Sequence, residues 1–203
     1  VRSRAERMSN RPEDKEFIIE SSELTVKNID RILNISEKMM EFAKGGKAEQ
    51  GRVNLNKTLD ETLLLLNQRF QDNSVAIDKR YSEEFTVKGN RDTLSEAFLN
   101  IILNSLEAMP KGGTISLSIE KSSMADTTGA ELPAVKIEIA DTGEGIAREK
   151  IHQIFDPFFT TKHLGTGLGL SITHKIICQD HGGYVDVKSD LGKGTSFCVW
   201  LPL

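Results

Sequence analysis

Between about Pro12 and Ala43 the apolar positions fall at Ile18, Val26, Ile29, Ile32, Leu33, Ile35, Met39, Met40, Phe42 and Ala43. Steps of three and four dominate and no glycine interrupts them, which predicts one long amphipathic helix. Pro12 suits its first turn, Ser9 or Asn10 its cap, and Glu13, Asp14 and Glu16 its positive end. Gly45-Gly46 would stop it. The apolar face is too wide for a helix lying alone on water, so a helical bundle is expected. Val1 to Met8 reads as the end of one partner helix, with the others drawn from a second chain. A helix folded back on its own domain is the other reading.

From Arg52 the texture changes to mixed α/β. Leu55 to Phe70 reads as helix, with Leu59, Leu63, Leu64 and Leu66 on or near one face, and Val75–Tyr81 with Glu84–Lys88 as a hairpin. Asp92 would cap a helix running to Met109, ended by Pro110-Lys111-Gly112-Gly113. Thr114–Glu120 and Val135–Ile139 alternate apolar with polar residues, as strands with one buried face do, and the polar stretch Lys121–Leu132 reads as a mobile hairpin tip. Gly167–Gln179 reads as helix, and Gly183–Lys188 with Thr195–Leu201 as a last hairpin. The expected fold class is α+β: a two-layer sandwich, one mixed sheet with helices on one face, preceded by a long bundle-forming helix. The domain boundary is expected at residue 50, giving 1–50 and 51–203.

A chain of 203 residues, 38% hydrophobic and 28% charged, has the composition of a soluble globular protein. Its net charge of −4 with scattered basic residues argues against a nucleic-acid partner. Cys178 and Cys198 are too few for a disulfide framework and lack metal-ligand company, so they read as small core residues in a reducing compartment. No apolar run reaches the roughly 18 residues of a membrane span, so no membrane contact by these residues and a cytoplasmic location are expected. The chain starts at Val1 inside a charged segment and reads as part of something longer.

Four clusters carry candidate chemistry. Asn100 and Asn104 lie one helical turn apart among apolar positions. Their amide oxygens suit a magnesium ion already carrying phosphate and water, although helix asparagines satisfied by backbone would look the same. In Asp141-Thr142-Gly143-Glu144-Gly145-Ile146 a strand ends in a carboxylate able to accept from an exocyclic amine. Its glycines would let a flat ring approach the backbone, and an ordinary Asp-Thr-Gly turn is the alternative. Phe155-Asp156-Pro157-Phe158-Phe159-Thr160-Thr161-Lys162 reads as a core-packed aromatic anchor leading to a polar exit. Lys162 there is either a phosphate contact or a solvated lysine. Gly165-Thr166-Gly167-Leu168-Gly169 leads straight into a helix and offers several amides to an anion. A dinucleotide fingerprint needs a preceding strand and another glycine spacing, and the P-loop's Lys-Ser ending is missing too.

This ordered set, followed by Gly192-Lys193-Gly194-Thr195, resembles the GHKL ATPase/kinase superfamily over about residues 52–203. It resembles specifically the catalytic domain of sensor histidine kinases, and the long helix resembles the second helix of their dimerisation hairpin. The resemblance implies a Bergerat-type fold that uses ATP and Mg²⁺. It implies Asp141 on the adenine amine, Gly143, Gly145 and Ile146 around the base, Asn104 on Mg²⁺ and Asn100 beside the phosphates. Residues from about Asp156 to Gly167 would form a mobile lid. Thr161, Lys162, Gly165, Thr166, Gly167, Leu168 and Gly169 would line the phosphates, with Thr195 reaching the adenine through water. Asn100 and Lys162 are the expected catalytic residues, since phosphoryl transfer is mostly positioning and charge neutralisation. Implied partners are a response regulator receiver domain and a second copy joined through the N-terminal helix.

Two departures stand out. Gln153 stands where many such kinases have a basic residue, so Lys162 is expected to take over a γ-phosphate role; Glu107 stands where a second basic residue is common. None of His152, His163, His174 and His181 lies in the long helix, so these residues are expected to lack the acceptor histidine. ATP-hydrolysing relatives of the gyrase and mismatch-repair type carry a glutamate where this chain has Asn100, and so have a base for water that is missing here. An anti-sigma-factor serine kinase would lack the bundle helix and the aromatic box. A purely interacting, degenerate domain is hard to reconcile with intact glycine motifs.

Overall fold

The computed structural model describes residues 18–29, 32, 33, 36, 50–81, 83–125, 129–162 and 165–203. The chain divides into two compact units, Val1–Gly46 and Lys47–Leu203. In the first, residues 18–29 form helix α1, and residues 32, 33 and 36 are also helical. Ile18, Val26, Ile29, Ile32 and Leu33 stand 50–64% exposed. The expected ends of this helix, its apolar positions from Ile35 to Ala43 and the partner helix Val1–Met8 lie outside the described residues.

The second unit runs β1 (Gly51–Asn54), α2 (Leu55–Leu65), α3 (Asn67–Asp72), β2 (Val75–Arg80), β3 (Thr86–Gly89) and α4 (Arg91–Glu107). After these come β4 (Gly113–Ala125), β5 (Glu131–Asp141), a 3₁₀ turn (Ile151–Gln153) and α5 (Gly169–His174), which continues as a π-helix over Lys175–Asp180. The last elements are β6 (Tyr184–Asp190) and β7 (Gly194–Pro202). Five strands form one mixed sheet in the order β2-β4-β5-β7-β6, parallel only at β2–β4. Alternation does the building. Ile115, Leu117, Ile137, Ile139, Phe197 and Val199 put one face of the sheet into the core. Leu94, Phe98, Ile101 and Ile102 of α4, Leu55 and Leu59 of α2, and Ile172, Ile176 and Ile177 from α5 onward cover it. The expected two-layer arrangement is therefore present.

Several local expectations are corrected. Val75–Arg80 and Thr86–Gly89 are strands, but not a hairpin: β2 lies parallel to β4, and β3 pairs antiparallel with β1, a strand not anticipated. The cause is the connection between them. Asn56 at the head of α2 accepts from the Phe85 amide at 3.0 Å and donates to the Glu83 carbonyl at 2.9 Å, and Leu55 N donates to Phe85 O. Those bonds draw the segment away from β2. The expected helix Leu55–Phe70 breaks at Leu66, whose backbone turns at φ −99° and ψ 1°, and Leu64 is exposed. Asn90, not Asp92, caps α4, accepting from Thr93 N at 3.0 Å while Asp92 sits in the first turn. The expected tip Lys121–Leu132 is mostly strand, since β4 runs on to Ala125 and β5 starts at Glu131.

Candidate functional site

Asp141 ends β5 in the middle of the sheet, in register with Ile115 of β4 on one side and Thr195 of β7 on the other. It is 7% exposed. Its Oδ1 accepts from Gly143 N at 2.9 Å and Thr195 N at 3.1 Å, which orients the carboxylate and leaves Oδ2 free of both amides. Burial pushes the Asp141 carboxyl above the ordinary aspartate range, against the pull of the Gly143 amide, Ser105, the Thr195 amide and Lys162.

The loop after Asp141 is fastened at each end. Glu144 N donates to the Ala108 carbonyl just past α4, and Glu144 O accepts from Gly192 N in the β6–β7 turn. Gly145 has φ +70°, and a Cβ there would collide with the Asp190 carbonyl, so only glycine fits. Ile146 N donates to Ser189 Oγ at 2.8 Å, and Ser189 Oγ also meets Thr195 Oγ1 at 3.0 Å. Ser189 thus joins two of the expected base-side residues, Ile146 and Thr195. Sequence reading missed it, because a serine in a strand of alternating polarity carries no signal of its own.

On α4, Asn100 and Asn104 share a face as expected. Backbone satisfaction, the alternative for the pair, does not hold for Asn100: its buried Nδ2 has no hydrogen-bond partner. Gly169 lies against it, close enough that an added Cβ would sit 3.4 Å from Asn100 Oδ1. Asn104 Oδ1 accepts from Lys162 Nζ at 3.1 Å. Ser105, also buried, is a neighbour of Asp141 whose hydroxyl lacks a well-formed partner.

The described residues of the expected lid are joined by short local bonds. Lys162 N donates to Thr160 Oγ1, Gly165 N to Lys162 O, and Leu168 N approaches Thr166 Oγ1 at 3.4 Å. Thr161 is exposed, whereas the Leu168 side chain is buried in the core and can offer a ligand only backbone. Gly167 has φ +68° and packs on the Phe158 backbone, where the Phe158 amide donates to its carbonyl at 2.9 Å. Phe155 and Phe159 pack against the core, and Phe155 meets the His174 ring at 5.4 Å between centroids. Phe158 corrects the expectation of an all-core aromatic box: it is 57% exposed and adopts φ +69°.

So Asp141, Gly143 and Thr195 are in direct contact, as are Asn104 and Lys162, and Asn100 and Gly169 adjoin. Among the described residues no group of three His, Cys, Asp or Glu side chains could cage a metal, and no helix is long and apolar enough to cross a membrane.

Residues 89–203 match the family model described as histidine kinase-, DNA gyrase B- and HSP90-like ATPase. The chain belongs to that family. This ATPase-family domain is homologous to sensor histidine kinases. It is 35% identical over 185 residues to sensor histidine kinase ZraS of Escherichia coli (strain K12), covering 90% of this chain and 37% of ZraS. The chain therefore spans little more than a third of that relative's length. In fold it matches the catalytic domain of histidine kinase ThkA at a TM-score of 0.65 and 29% identity, over 76% of this chain and 96% of that one. ThkA solved in complex with the response regulator protein TrrA has the same fold at a TM-score of 0.72 and 24% identity, over 98% of this chain and 55% of that one. The Bergerat-type fold and the use of ATP follow from that membership.

Proposed function

We propose that residues 51–203 are the ATP-binding catalytic domain of a sensor histidine kinase, and that residues 1–50 belong to its dimerisation hairpin. In this reading the domain passes the ATP γ-phosphate to a histidine on that hairpin, and a receiver-domain aspartate takes it next. ThkA, solved in complex with the response regulator protein TrrA, is the precedent for such a partner. The parent protein would act as a homodimer through the N-terminal helix and in the cytoplasm, with any membrane anchor lying outside these residues.

The observation that carries the reading is the setting of Asp141. A carboxylate buried at a strand end, held by two amides on one oxygen, keeps its other oxygen for a donor such as the adenine amine. Gly143, Gly145 and Ile146 would shape the base pocket beside it, and Thr195 would reach the base through water. Asn100 Nδ2 supports a phosphate group nearby, since a buried amide donor without a partner costs about 1–3 kcal/mol until something accepts from it. Thr161, Gly165, Thr166, Gly167, Leu168 and Gly169 would surround the phosphates from the lid side. Lys162 would supply positive charge to the γ-phosphate.

The donor set fits a magnesium ion that arrives with nucleotide. Asn104 Oδ1 is a neutral oxygen already contacted by a cation, the Lys162 ammonium. With no carboxylate cage among the described residues, phosphate and water would complete the coordination. Bound Mg²⁺ would neutralise phosphate charge, while Asn100 and Lys162 hold the phosphate chain in line.

His181 is not an acceptor in this reading. It is buried, with Nδ1 bonded to Ile176 O at 2.8 Å and Nε2 accepting from Asn90 N at 3.0 Å, so neither nitrogen is free. Two measurements test the proposal. Equilibrium titration should show ATP binding that Mg²⁺ strengthens, and an absence of binding at millimolar nucleotide would refute it. With γ-labelled ATP the chain alone should stay unlabelled, and acid-labile label on His152, His163, His174 or His181 would overturn that part.

A further inference from the structure

Two side chains of α4 converge on one atom of the lid. Lys162 Nζ lies 3.1 Å from Asn104 Oδ1 and 2.5 Å from Glu107 Oε2. Asn104 and Glu107 are three residues apart and hence neighbours on the helix surface, so a single cation can touch both. The backbone bonds of Lys162 are short-range, to Thr160 Oγ1 and Gly165 N, whereas its side chain crosses to a different element. A basic residue at position 107 would repel Lys162. The glutamate that stands where a second basic residue is common is thus in contact with the lid lysine.

We propose that Glu107 is the counter-ion that holds Lys162 on Asn104 before nucleotide arrives, making the lid lysine and the nucleotide's divalent cation alternative occupants of Asn104 Oδ1. The exchange rests on the reading of Asn104 as the cation's ligand. Glu107 is then a positioning residue: it acts on the lid and does not touch the reacting phosphate. The energetics suit exchange. The two side chains are 38% and 56% exposed, and an ion pair at such a surface is worth at most about 1 kcal/mol. A polyanionic phosphate chain carrying its own cation outcompetes it from both ends, drawing Lys162 to phosphate and filling Asn104.

The test is amide hydrogen exchange by NMR on the whole chain, at Thr160, Thr161, Lys162, Gly165 and Thr166. Without nucleotide, Glu107→Gln should raise exchange at these amides by roughly two- to five-fold, the range an exposed ion pair supplies. The double charge reversal Glu107→Lys with Lys162→Glu should bring it back towards wild type. At saturating Mg²⁺ and ATP the wild type and Glu107→Gln should become indistinguishable. Unchanged exchange in Glu107→Gln overturns the latch, as does a double variant that exchanges as fast as either single one. A difference that persists with Mg²⁺ and ATP bound overturns the alternative occupancy. Failure of the wild type to bind ATP would sink the nucleotide reading and the exchange with it. That result is separate from the nucleotide-free comparison, which decides the latch.

Discussion

Asp141→Asn separates what the buried carboxylate does for the fold from what it does for a ligand. The substitution keeps the shape and leaves an amide oxygen to accept from Gly143 N and Thr195 N, so the two bonds now made to Oδ1 survive. The other terminal atom changes from an acceptor to an NH₂ donor, which in the proposed site would face the adenine amine, also a donor. The loss is one hydrogen bond to a charged acceptor, about 1.5–3 kcal/mol, or roughly 10- to 150-fold in ATP affinity. Stability should move the other way. Burial raises the folded-state pKa of Asp141 above its unfolded value, so its contribution to stability is fully present below the unfolded value and is lost as pH rises through the folded one. Above that folded-state value the wild type carries an ionised carboxylate that folding disfavours, and the neutral amide of the variant removes that penalty. Isothermal titration should show the weakened binding. Thermal melts should show the variant at least as stable as wild type at pH 7, with the advantage shrinking as pH falls through the raised folded-state value of Asp141 and gone below about 4, where both states of Asp141 are protonated. ATP affinity within two-fold of wild type would refute the adenine contact. A large drop in Tm at pH 7 would refute the account of the carboxylate's burial.

Lys162→Ala should lower ATP affinity several-fold and slow phosphotransfer to an added acceptor domain; unchanged values of both would remove Lys162 from the phosphate site. Gly145→Ala forces a side chain into a left-handed backbone and against the Asp190 carbonyl. It should destabilise by more than about 1–2 kcal/mol in urea unfolding and weaken ATP binding, and a silent substitution would mean the loop is not fastened as described. His181→Ala removes the imidazole that accepts from the Asn90 amide and bonds the Ile176 carbonyl, so a loss of about 1–3 kcal/mol is expected from denaturant curves with ATP affinity little changed.

Much of the fold was legible in the chain. The period-two runs around Ile115–Ile119 and Ile137–Ile139, and the glycine-bounded helices, are local signals, and they fall where the strands and helices stand. The candidate site was legible as an order of motifs. Asn100 and Asn104, the Asp141 loop, the glycine loop and Thr195 are read in sequence, and each lies where two elements meet. Strand partners were not legible. β2 and β3 look like a hairpin because they follow each other with a short gap, while the strand pairings and the bonds of Leu55 and Asn56 to Glu83 and Phe85 show the chain crossing from one sheet to the other. Phe158 illustrates the same limit. Its neighbours Phe155 and Phe159 pack inward, while its own left-handed backbone turns it to solvent, and hydrophobicity cannot encode that direction.

By itself the sequence determined most of the elements, the family resemblance and the residue types available for ATP, because periodicity, glycine placement and motif order are properties of neighbouring residues. Tertiary structure alone decided that Lys162 rests on Asn104 and Glu107, that Ser189 ties Ile146 to Thr195, and that the Asp141 carboxylate is oriented by an amide 54 residues away. Those contacts join residues whose separation along the chain carries no pattern. They exist because the apolar faces of the sheet and α4 must be buried together, and that packing brings the polar groups at their edges within hydrogen-bond reach.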